Sequence, residues 1–167
     1  LTSMKTKSII SILMLFCSMV TSAQHPLVGT WEMVSIKGVG ADGKPFNWTT
    51  ANIRIIKIMT PTHYALIQHI VRNDSVIFST AHAGPIKFEG NKYSQSQTVS
   101  SDAATIGSKW DYTWKAEGNQ LIQSGTNTGA DGKKTVIDEL VYKRVGSPAA
   151  SSKNPIVGTW NQLSSEY

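Results

Sequence analysis

Between His25 and Val145 the apolar residues recur at every second position in short runs, and no window longer than a strand repeats them every three or four. That spacing argues against amphipathic helices and for strands with one buried face. Trp110, Tyr112 and Trp114 alternate with Asp111, Thr113 and Lys115, the clearest such run. Ile53 to Met59 is rich in β-branched residues, Pro61 interrupts it, and Thr62 to Val71 resumes it. Asn73-Asp74-Ser75 turns the chain into Val76-Ile77-Phe78. Ile86 to Glu89 alternates, Gly90-Asn91 is a two-residue hairpin signal, and Tyr93, Gln95, Gln97 and Val99 are expected on one face of the returning strand. Gly118-Asn119 turns into Leu121-Ile122, and Lys134 to Val145 makes a long last strand. The expected fold is all-β, with about eight to ten antiparallel strands. So many short strands must hide their edges by closing into a barrel or splitting into a sandwich. Periodicity alone does not choose between the two.

The ends of the chain read differently. Lys5 and Lys7 precede an apolar run from Ile9 to Val20 and the small residues Thr21-Ser22-Ala23, the order of a secretory signal. The run is shorter than the roughly 20 residues a membrane-spanning helix needs, so no transmembrane segment is expected in the mature chain. Cleavage after Ala23 would remove Cys17, the only cysteine, and with it disulfides and thiolate chemistry. It would leave fourteen basic against eleven acidic residues, with the bases scattered singly apart from the pairs Lys133-Lys134 and Lys143-Arg144. Nucleic-acid binders concentrate charge on a patch or stripe, so no nucleic-acid partner is expected. His25-Pro26-Leu27-Val28-Gly29-Thr30-Trp31 returns as Asn154-Pro155-Ile156-Val157-Gly158-Thr159-Trp160, after a small-residue linker. The expected organisation is a signal peptide with upstream residues over 1–23, a β-domain over 24–146, a linker over 147–153 and the start of a second copy over 154–167. The protein is expected to be exported, to the periplasm, the medium or the cell surface.

Val28-Gly29-Thr30-Trp31 at the mouth of the first strand resembles the opening Gly-x-Trp signature of lipocalins and the related fatty-acid-binding proteins. A closer likeness is to lipocalin-like domains of unknown function in exported bacterial proteins. It rests on Lys57 to Tyr64, on Gly84-Pro85-Ile86 with Gly90-Asn91-Lys92-Tyr93, and on Glu139 to Val145. The chain departs from that pattern at Pro85, Gln95 and Val141, where the resemblance implies a glycine, an acid and a tryptophan. It implies a small lipocalin-like (calycin-type) antiparallel β-barrel. Trp31 would close its base beneath Arg144, beside Gly29, as a structural cation–π contact.

Gly38-Val39-Gly40-Ala41-Asp42-Gly43 satisfies the dinucleotide string G-x-G-x-x-G, but Lys44-Pro45-Phe46-Asn47 begins no helix to meet a pyrophosphate. Gly-Ala-Asp-Gly-Lys recurs at 129–133, and both copies read as turns. His63 and His69 lie roughly 20 Å apart along a strand, too far to share a metal ion, and no cofactor or metal is expected. The reading favoured is a binding domain for a small, largely apolar ligand, lined by Tyr64, Leu66, Trp110, Tyr112 and Trp114, with His63 at its side. Alternatives are an enzyme using His63 and Glu139 for acid–base work in the same cup, and an adhesive tandem module with a filled core.

Overall fold

The computed structural model describes residues 25–72 and 75–145. The segments expected as signal peptide (1–23), linker (147–153) and start of a second copy (154–167) lie outside the described residues. Ten strands follow in order: β1 Gly29–Val39, β2 Pro45–Thr49, β3 Ile53–Met59, β4 His63–Arg72, β5 Ser75–Glu89, β6 Lys92–Ser96, β7 Val99–Ser100, β8 Lys109–Glu117, β9 Gln120–Thr128 and β10 Lys134–Arg144. Every pairing is antiparallel. β10 returns to pair with β1, from Trp31 opposite Arg144 to Val39 opposite Val136, and so closes an eight-stranded barrel of β1, β3, β4, β5, β6, β8, β9 and β10. Closure removes the free edges that so long a sheet would otherwise expose.

The two remaining strands extend others. β2 and β3 occupy successive lengths of one edge of β1, and β7 follows β6 along one edge of β5. The segments read as Val76-Ile77-Phe78 and Ile86 to Glu89 prove to be parts of one strand, because Gly84-Pro85 does not break it. Pro85 has no N–H to give. It sits where β5 changes partner, between the stretch paired with β7 and the stretch paired with β6. A side chain at Gly84 would place its Cβ 1.8 Å from the Ser96 carbonyl oxygen, so only glycine lets the jog between β6 and β7 lie this close. That jog also explains Val99, which is exposed whereas Tyr93, Gln95 and Gln97 are buried.

Tight turns join the strands as their residues dictate. Gly90-Asn91 and Gly118-Asn119 form two-residue hairpin loops, with Glu89 opposite Lys92 and Glu117 opposite Gln120. The two Gly-Ala-Asp-Gly-Lys segments adopt the same turn: Gly40 N–H donates to the Lys44 carbonyl and Gly129 N–H to the Lys133 carbonyl, each at 2.8 Å. Asp42 and Asp131 accept from the Lys44 and Lys133 amides. The dinucleotide-like string is therefore a strand connection.

Alternation fills the interior. Its lower layer holds Leu27, Trp31, Met59, Ile86 and Leu121, all buried. The Trp31 indole N–H donates to the Leu27 carbonyl at 2.8 Å, and the Arg144 guanidinium lies 4.1 Å from the Trp31 ring while donating to the Val28 and Pro26 carbonyls. Gly29 takes φ +142°, and a Cβ there would stand 2.6 Å from the guanidinium. This end of the barrel is shut by side chains.

Candidate functional site

Above the closed end the barrel narrows onto one polar group. Ile55, Lys57 and Met59 point inward from β3, and period two therefore carries Lys57 into the core at 1% exposure. Lys57 Nζ donates to the Tyr93 hydroxyl at 3.0 Å, and Tyr93 donates in turn to Gln123 Oε1 at 2.8 Å. The rings of Tyr93, Tyr64, Tyr112 and Tyr142 stand 4.9, 5.6, 5.9 and 5.9 Å from the ammonium. Ring faces attract a cation, the more so when it is desolvated. They supply no counter-charge.

Over Lys57 opens a cavity of about 290 Å³, near the low end of the range of about 300–1,000 Å³ that small-molecule sites occupy. Lys57, Tyr112 and Tyr142 form its floor with Gln95; Leu66, His82 and Trp110 form one wall; Met33, Ile36, Ile55 and Leu140 form the other. Gln68, Thr80, Asn127 and Trp48 lie toward the open end. The strand register produces this grouping: Lys57 is opposite Leu66, Leu66 opposite His82, Gln95 opposite Trp110 and Trp110 opposite Asn127. Beyond the cavity, the β4–β5 hairpin carries the exposed side chains of Val71, Val76, Ile77 and Phe78. A separate concavity borders Lys87, Glu89, Lys92 and Asp111, where Lys87 is already paired with Glu89.

Electrostatics set the cavity apart. Among the described residues no aspartate or glutamate lines it. Burial lowers Lys57 to about 7 and pushes the phenols of Tyr64, Tyr93, Tyr112 and Tyr142 upward, so at neutral pH they stay protonated. Burial, then the charge of Lys57, lowers His82 to about 4, which leaves its ring neutral. His82 stacks on Trp110 with centroids 5.3 Å apart and planes 3° from parallel, and its Nδ1 lies 3.1 Å from the Tyr64 hydroxyl. Three amide groups in the interior lack one partner each: Gln95 Oε1, Gln123 Nε2 and Asn127 Oδ1. Two of these, Gln95 and Asn127, line the cavity.

The residues singled out from sequence separate into groups. Leu66, Trp110 and Tyr112 line the cavity. Tyr64 stands just behind its wall, fully buried, holding His82 and facing Lys57. Trp114 belongs to the closed end, edge-on to the His25 ring, which itself stacks on Phe88 at 4.1 Å. Alternation put it on the inward face, but two residues further down β8 than the cavity reaches. His63 is exposed at the start of β4, its Nδ1 2.9 Å from the Thr62 hydroxyl. Glu139 faces outward in an ion pair with Lys37 at 3.1 Å. The acid–base pair is therefore not assembled in the cavity. The histidine found there is His82. Sequence reasoning also passed over Lys57, Gln95 as a cavity wall, and Asn127.

Among the described residues no three His, Cys, Asp or Glu side chains converge as a metal site would require, and no helix is long and apolar enough to cross a membrane. Comparison of the sequence with protein-family models and with curated proteins finds no match in either set.

Proposed function

We propose that this chain is an exported small-molecule-binding protein that holds a compact, largely apolar ligand in the open half of its barrel. The observation that carries the reading is the cavity above Lys57. It has aromatic and aliphatic walls, and a few polar groups converge on it from Gln95, Asn127, His82 and Lys57. Mostly apolar walls with a few placed polar groups are what small-molecule sites share. A core evolved only for stability would gain by filling that space with side chains. Tyr112, Trp110 and Leu66 give the ligand its apolar contact, Tyr64 and His82 brace the wall, and Trp31 and Arg144 serve the base alone. The basic start, apolar run and small-residue site before Gln24 support export.

The test is native mass spectrometry of the full chain recovered from an exporting bacterium, with N-phenyl-1-naphthylamine titration of the ligand-free protein. A mature N-terminus at Gln24, and saturable binding of one probe per chain that Leu66→Trp abolishes by filling the cavity, are the expected results. Absence of saturable binding overturns the binding reading, and a retained leader overturns export.

A further inference from the structure

We infer that Lys57 is an attachment point: the barrel captures a small apolar carbonyl compound, an aldehyde or unhindered ketone, and holds it as an imine on Lys57 Nζ. The inference rests on the binding reading above and deepens it by naming the ligand's reactive group.

The geometry comes first. Lys57 is a cavity-floor residue whose amine is committed to one hydrogen bond, to Tyr93, and it sits among four tyrosine rings with no carboxylate on the cavity wall among the described residues. An ammonium buried without an anion is among the costliest arrangements a core can hold. A methionine would fill the same apolar slot without that cost. Retention of the amine in such a place therefore calls for a use, and a desolvated lysine amine in an apolar pocket is a nucleophile toward carbonyl carbon.

The step balances without any further reagent. The Lys57 nitrogen lone pair forms a bond to the carbonyl carbon, and the carbonyl π electrons move to oxygen. That oxygen takes up the two protons of the neutral amine and departs as water, leaving a C=N bond. No oxidant or reductant is consumed. Tyr112 and Tyr142 line the same cavity and bring phenolic hydroxyls for relaying protons to the departing oxygen. Condensation replaces a buried amine by a neutral imine, and if that imine is protonated the four ring faces stabilise the cation as they do the ammonium. Burial of the amine agrees with this role, because about half of it is unprotonated near neutral pH, against a fraction of a percent for an exposed lysine. His82, the other basic group lining the cavity, is neutral there and competes for no ligand charge.

The experiment incubates the full chain with 3-phenylpropanal at pH 7 and traps with sodium cyanoborohydride, followed by intact mass and peptide mapping. Displacement of N-phenyl-1-naphthylamine by the aldehyde, by 3-phenylpropanol and by 3-phenylpropanoate runs in parallel. We expect one adduct per chain, the mass of the aldehyde less its oxygen, on Lys57 and formed about 100-fold faster than on any other lysine. Labelling should fall to the surface-lysine background in Lys57→Met, and equally in Leu66→Trp, which keeps the amine but fills the cavity. If the naphthylamine binds and Lys57 is not preferentially labelled, the inference is overturned while the binding reading stands. If 3-phenylpropanoate displaces the probe in a Lys57-dependent way and no imine is trapped, the site is an anion site and the inference is likewise overturned. If neither probe nor aldehyde is taken up, both readings fall.

Discussion

Lys57→Met, followed against pH, isolates the electrostatic cost at the centre of this barrel. The native amine titrates at about 7 and an unfolded one near 10.5. Between these values the unfolded chain binds more protons than the native one, so stability must rise with pH across that interval. At pH 7 the penalty is about 4 kcal/mol, and between pH 7 and 9.5 about 3 kcal/mol of it is recovered. Below that window His82, lowered to about 4, acts with the same sign between its native value and the ordinary 6.5. Above it, the raised tyrosines act oppositely, because their native forms keep protons that the unfolded chain loses near 10. The range from 7 to 9.5 therefore reports Lys57. Urea unfolding of the full chain at half-unit steps should show the wild type gaining about 3 kcal/mol across it. Lys57→Met should be nearly flat and about 3 kcal/mol more stable at pH 7, after allowing about 1 kcal/mol for the lost bond to Tyr93. A flat wild-type curve, or the same slope in the variant, would refute the argument that burial without a counter-charge governs this residue.

Arg144→Ala loses the contact with Trp31 and two bonds to backbone carbonyls at the closed end, and should destabilise by about 2–3 kcal/mol in chemical denaturation while probe affinity stays unchanged. Loss of binding without loss of stability would contradict that division of roles. Gly84→Ala drives a methyl into the Ser96 carbonyl and should cost about 2–3 kcal/mol by the same assay; a neutral result would mean the β6–β7 jog moves freely. His82 should show no imidazole titration by NMR from pH 5 to 8, and a midpoint near 6.5 would place it in water instead of on the wall. His63→Ala should leave probe binding as it is, since the ring is exposed and bonded to Thr62; a weakened affinity would bring it back into the site.

How far the chain announced this arrangement depends on which face each strand declares. On β8 only one face is aromatic, so the inward set was plain from the letters. Gly90-Asn91, Gly118-Asn119 and the two Gly-Ala-Asp-Gly-Lys turns fixed their own geometry locally, and they formed as expected. The Gly-x-Trp opening led to the Trp31–Arg144 closure through resemblance. On β3 the letters do not decide: Arg54, Ile56 and Ile58 alternate with Ile53, Ile55, Lys57 and Met59, so each face carries one base among apolar residues. Only the tertiary register chose the face holding Lys57, and the cavity's main polar feature was invisible for that reason. His82 was not placed on the cavity wall, for a different cause. The letters mark strand only at Val76 to Phe78 and Ile86 to Glu89, and a continuous Ser75–Glu89 strand was needed to aim His82 at Trp110. The amides of Gln95 and Asn127 came to line one cavity only once β6, β8 and β9 were side by side.

The seam between β1 and β10 also bears on how the molecule comes into being. The hydrogen bond from Arg144 to the Val28 carbonyl joins residues 116 positions apart, and the whole first strand waits for the last one to cover its open side. Delivery of the chain N-terminus first leaves that side uncovered until 116 further residues have followed Val28. During that interval β1 and β3 can pair but the cylinder cannot exist, and an unpartnered strand edge is what neighbouring chains add to. Contacts of such long range are also the slow ones to form. The birth of this barrel is therefore an all-or-nothing event timed by its final dozen residues, and a nascent chain held short of Arg144 is a curved open sheet in search of an edge.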